Sequence, residues 1–82
     1  MDNWTIAHLT KRLHKARAMV GYWLAKSRPD CARNWQAEAD RLTGRLLVIA
    51  RRFEVFANLK PTSRPAAYCY AKAEAIREQA TQ

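Results

Sequence analysis

Acidic residues are scarce in this chain. Seven Asp and Glu stand against fifteen Lys and Arg, for a formal net charge of +8. So little acid argues against a face that imitates DNA. Only two cysteines occur, Cys31 and Cys69. Two cysteines make neither a disulfide framework nor a CxxC pair, so two reduced, half-buried thiols are expected. Gly numbers two and Pro three, too few for a linker or a Gly-rich phosphate loop. No apolar run approaches the roughly 18 residues that a membrane span needs. The opening Met1-Asp2-Asn3-Trp4 lacks the basic-then-apolar order of a secretory leader, so a cytoplasmic protein is expected. No paired carboxylates or Ser/His/Asp set stand at catalytic spacing, and an enzyme is not expected. His8 and His14 are six apart, which puts them on different sides of a helix. No metal site and no cofactor are expected.

What is present is a single short chain of 82 residues, 49% apolar and 27% charged. That balance is globular rather than disordered. A chain this size buries only about 60% of its unfolded surface and has little room for an enzyme cleft. One helical domain over residues 1–82 is expected.

Three stretches carry helical periodicity. Ile6, Leu9, Leu13, Ala16, Val20 and Trp23 step by 3, 4, 3, 4, 3, an apolar seam on one helix face. Asp2 or Asn3 is its candidate cap, and a helix from Asn3 to Ser27 follows. Trp35, Ala39, Leu42, Leu46, Ile49, Phe53 and Phe56 repeat the pattern. Ser27 or Asp30 is the candidate cap there, and Lys60-Pro61 the stop. Asp30, Glu38 and Asp40 toward the start, with Arg51, Arg52 and Lys60 toward the end, suit the helix dipole. The third stretch, Ala66, Cys69, Ala73, Ile76 and Ala80, is mostly alanine and must dock closely or fray. Ser63 or Arg64 caps it and Pro65 opens it. No stretch alternates with period two, so no strand is expected.

Short links make neighbouring helices antiparallel. The expected fold is all-α: a long antiparallel helical hairpin plus a shorter third helix. Pairing the seams sets Trp23 opposite Trp35, Ala16 opposite Leu42 and Ile6 opposite Phe53, with Trp4 joining Phe53 and Phe56. One flank of the hairpin is small and nearly neutral: Ala7, Thr10, Gly21 and Leu24 with Thr43, Leu47, Ala50 and Ala57. The third helix fits there, and Asp40 and Glu54 nearby can meet Arg17 or Lys72. Leu46-Leu47-Val48-Ile49 is apolar all round, so either the third helix or a second copy covers the excess.

The other flank is basic. His8, Arg12, Lys15, Met19, Tyr22 and Lys26 step by 4, 3, 4, 3, 4 along the first helix. Arg41, Arg45, Val48, Arg52 and Val55 form the matching stripe on the second. Flanking charges ordinarily form a solvated face whose stems cover the core. Here, however, the stretch from Asn3 to Pro29 carries six basic residues (Lys11, Arg12, Lys15, Arg17, Lys26, Arg28) and no acid. A purely structural surface gains from mixed signs. Gly21 and Gly44 lie off the seams and read either as drift or as points where another backbone approaches. Arg, Tyr and Met are the stuff of protein interfaces, so the nine residues His8, Arg12, Lys15, Met19, Tyr22, Lys26, Arg41, Arg45 and Arg52 are the candidate binding face. The expected partner is a larger bacterial protein with an acidic surface. The alternative is DNA or RNA held by its phosphate backbone. A membrane-surface helix is not expected, because the apolar seam of the first helix is needed by the second.

In general character the chain resembles the small single-domain proteins that bacteriophages and mobile elements encode to disable host machinery, the anti-CRISPR proteins among them. Tiny size, an all-helical seam pattern, three tryptophans and no catalytic signature carry the resemblance over the whole chain. The group has no shared fold or motif, so no functional residue carries over. The resemblance implies a non-catalytic inhibitor that acts in the host cytoplasm by occupying a protein surface.

Overall fold

The structure is a computed structural model that describes residues 3–81, with side chains from Thr5 onward. The expected cap Asp2 lies outside what is described, as do the side chains of Asn3 and Trp4 with their expected capping and packing. Three helices and no strand make up the described residues: α1 (Asn3–Ala25), α2 (Pro29–Asn58) and α3 (Arg64–Thr81). The fold is all-α, with α1 packed on α2 and α2 on α3. Two compact units divide the chain, Met1–Gly44 and Arg45–Gln82. The first holds α1 and the start of α2, and the second holds the rest of α2 and α3.

In the first unit the seam of α1 buries Leu9, Leu13 and Ala16. Ile6, Val20 and Trp23 are half-buried. From α2 come Ala32, Ala39 and Leu42, all buried, with Trp35 half-buried. The link between the helices is a Schellman turn. The Arg28 N–H donates to the Trp23 carbonyl over 2.9 Å and the Ser27 N–H to that of Leu24 over 3.1 Å. Ser27 takes the left-handed backbone such a turn requires, at φ 59°. This corrects the sequence expectation. Ser27 ends α1 rather than capping α2, and α1 stops at Ala25. The first helical bond of α2 runs from Ala32 N–H to the Arg28 carbonyl, so Arg28 holds the cap position and Pro29 opens the helix. Proline suits that place, because the first N–H of a helix has no intrahelical acceptor.

In the second unit Leu46, Ile49, Ala50 and Ala57 of α2 are buried. All five seam residues of α3 are buried too: Ala66, Cys69, Ala73, Ile76 and Ala80. Ala57, Ala66 and Cys69 form one cluster, with Phe53 packed against it. Small side chains let the two backbones approach closely. Phe56 departs from the expected seam and is 61% exposed. The reason is rotational. A straight α-helix drifts about 20° per heptad against a strict seven-residue repeat. Between Trp35 and Phe56 the repeat runs for three heptads, which turns Phe56 outward and brings Ala57 inward. Leu47, expected beneath α3, is 38% exposed.

Ser63 caps α3. Its Oγ accepts the Ala66 N–H at 3.2 Å and donates to the Lys60 carbonyl at 2.8 Å. The Tyr70 hydroxyl donates to Asn58 Oδ1, tying α3 to the last residue of α2. Glu54 receives Arg77 of α3 and also pairs with Arg51. The sequence had offered it Arg17 or Lys72. Asp40, likewise, accepts a hydrogen bond from Gln36 at 2.9 Å. The last turn of α2 contains no basic residue, so the expected cationic C-terminus is absent. Asp30 does sit in the first turn.

Candidate functional site

The candidate face divides between the units. His8, Arg12, Lys15, Met19, Tyr22, Lys26 and Arg41 belong to the first, and Arg45 and Arg52 to the second. All but Met19 are exposed, and Met19 is half-buried. Helical spacing explains the grouping on α1: steps of 3 and 4 keep these residues on one side of the helix, beside the buried seam.

The first unit contains a feature that the sequence reading missed. Glu38 of α2 gathers two of the predicted arginines. Arg12 Nη2 donates to Glu38 Oε1 at 3.0 Å, which bridges α1 to α2. Arg41 donates through Nε to Oε2 at 3.0 Å and through Nη2 to Oε1 at 2.7 Å. The second contact is the bidentate fork of a guanidinium on a carboxylate. Hydrogen bonding and charge from Arg41, then from Arg12, hold the Glu38 carboxyl below its ordinary value of 4.5. The Arg41 guanidinium is correspondingly raised. One acid and two arginines leave a net positive charge, and both guanidinium groups are about half exposed. Each arginine carries five N–H donors, so each keeps donors that Glu38 does not engage.

Glu38–Arg41 has a helical i, i+3 spacing, a signal visible in the sequence. Arg12 was hidden by register. Pairing Trp23 with Trp35 sets Glu38 level with Val20 rather than with Arg12.

At the far end of α1, Tyr22 is half exposed and meets the edge of Trp23, with ring centroids 5.1 Å apart at 82°. The Lys26 ammonium lies 5.6 Å from the Tyr22 ring centroid, within cation–π range. Trp23 Nε1 is buried without a hydrogen-bond partner. In the second unit Arg45, Val48, Arg52 and Val55 form an exposed stripe on α2, and α3 lies on the Ala57 side of the helix.

Gly21 and Gly44 are both helical, and a Cβ built at either would meet nothing within 4 Å. Among the described residues neither glycine serves a close approach. Both cysteines are free, Cys31 half-buried and Cys69 buried. Among the described residues no group of three or more His, Cys, Asp or Glu gathers where a metal could be held. No described helix is long and apolar enough to cross a membrane. Compared with protein-family models, with curated proteins and with solved structures, the chain matches none.

Proposed function

We propose that this chain is a non-catalytic binding protein that docks on an acidic surface of a larger bacterial protein and blocks or regulates it. One observation carries the reading. The exposed side of α1 presents Arg12, Lys15 and Tyr22, with Lys26 just past its end, and no acid occurs anywhere in that helix. The Glu38 bridge supports it further. Guanidinium groups already held in place lose less freedom on meeting a second carboxylate. Tyr22, its ring fixed against Trp23 and flanked by Lys26, is suited to the part of an aromatic anchor. The protein would act by occupying a surface, in the manner of the phage-encoded host inhibitors it resembles.

Nucleic-acid binding is the second reading, favoured by the net charge of +8. Lys and Arg would neutralise phosphates, and binding would fall steeply with salt.

A pull-down from nuclease-treated bacterial lysate separates the two. The parent chain is compared with a Lys15→Glu, Lys26→Glu variant, which leaves the Arg12–Glu38–Arg41 bridge intact. A stoichiometric protein kept by the parent and lost by the variant is the expected result. Loss of every partner on nuclease treatment favours nucleic acid. A protein captured equally by both chains refutes the α1 face.

A further inference from the structure

The second unit carries a feature unrelated to the basic face of α1. Where α2 turns into α3, a cleft of about 420 Å³ opens between Phe56, Leu59, Lys60, Ser63, Pro65 and Ala66. Its walls are apolar. Phe56 is 61% and Leu59 75% exposed, large values for side chains of this kind in so small a protein. The corner is stiff. Pro61 and Pro65 fix two backbone torsions. Ser63 Oγ bonds both the Lys60 carbonyl and the Ala66 N–H. A stiff apolar cleft needs little ordering to bind.

Charge says what would fill it. From Val55 to Ala73 the sequence contains Lys60, Arg64 and Lys72 and no acid. Arg52, one helical turn before Phe56 and on the same side of α2, is exposed. Glu54, the nearest preceding acid in sequence, is paired with Arg77 and Arg51. A second copy of this chain would bring the same cations to the same place and be repelled. We infer that the α2–α3 corner is a docking site for an acidic peptide segment that seats one bulky apolar side chain between Phe56, Leu59 and Pro65 and sets its carboxylates against Lys60, Arg52 and Arg64. The arrangement follows the general rule of a buried apolar anchor with a charged rim.

The test uses the full chain labelled with nitrogen-15. The probe is a capped peptide in which aspartates flank a single tryptophan. One control peptide replaces the aspartates by asparagine, and the other replaces the tryptophan by serine. Saturable shifts centred on the amides of residues 56–66 are expected, with affinity falling by about tenfold or more for either control. Leu59→Ser and Lys60→Glu change exposed side chains and should each weaken the probe to a similar degree. Lys11→Glu, at an exposed residue outside the candidate face, should leave it unchanged. No saturable shift at millimolar peptide overturns the inference. So do equal binding of the asparagine peptide, indifference to Lys60→Glu, or shifts that fall on α1 instead. The first three of these results leave the α1 face untouched, because its test is the pull-down; shifts on α1 count toward that face, which is proposed to meet acidic surfaces.

Discussion

Replacing Gly21 and Gly44 by alanine tests the helices and the binding face together. Both glycines lie inside helices, neither has a positive φ, and a Cβ at either would meet nothing within 4 Å. No steric cost therefore opposes the change. Alanine exceeds glycine in a helix interior by about 0.8–1.0 kcal/mol, largely because the unfolded chain loses freedom. A domain of this size holds roughly 4–12 kcal/mol in all, at 0.05–0.15 kcal/mol per residue. One such gain should raise the melting temperature by about 4–8 °C. Thermal unfolding followed by far-ultraviolet circular dichroism measures it. An alanine variant that melts at or below the parent temperature refutes the argument at that site. Gly21 carries a second consequence, because it precedes Tyr22 on α1. No described residue approaches it, so a backbone that needs the missing Cβ would come from a partner. Gly21→Ala with raised stability and weakened capture places the partner there. Raised stability with unchanged capture leaves Gly21 without a role in binding.

Ser27→Gly should stabilise by about 1 kcal/mol, since a residue with a Cβ is disfavoured at the φ of 59° it adopts; denaturant midpoints check this, and a lower midpoint for the glycine variant refutes the turn. Ser63→Ala removes the hydroxyl that caps α3 and should cost about 1 kcal/mol by the same measurement. Ala73→Leu should cost about 1–3 kcal/mol by overpacking the α2–α3 contact, because Ala73 is only 1% exposed; a neutral effect would mean that α3 is not seated there. Glu38 and Glu54 both have carboxyl values held below the ordinary 4.5 by their arginine partners. A depressed carboxyl stabilises above its unfolded value, and that contribution is lost as pH falls through the folded one. Stability should therefore decline on acidification below about pH 4.5, and Glu38→Gln should flatten the decline; an unchanged slope contradicts the Glu38 bridge.

Much of the architecture was legible in the sequence, and the misses share physical causes. Every seam residue assigned to α3 is buried, because an eighteen-residue helix is too short for seven-residue counting to drift far. In α2, thirty residues long, the same counting carried Phe56 out of the core. Ser27-Arg28-Pro29 and Ser63-Arg64-Pro65 are the same tripeptide, yet Ser63 caps a helix start while Ser27 closes a helix end. The residue types that favour caps also favour turns, and only backbone geometry separates the two uses. Exposure of eight of the nine candidate residues, all but Met19, followed from helical spacing. The role of Glu38 did not. A bridge between helices depends on axial register and on the reach of long side chains, and neither is set by the seam alone. The corner cleft escaped notice for a similar reason: it forms from the outward turn of Phe56 together with the path of the link from Leu59 to Pro65.

A partner seated on the acid-free side of α1 would shield the lysines there. Lysine footprinting tests it most directly. The chain is acetylated under limiting reagent, alone and bound to the protein it retains from nuclease-treated lysate, and each lysine is read by mass spectrometry. Lys15 and Lys26 should lose reactivity in the complex while Lys72 of α3 keeps its own. Lys15 and Lys26 labelling as fast in the complex as in the free chain would contradict a partner seated there.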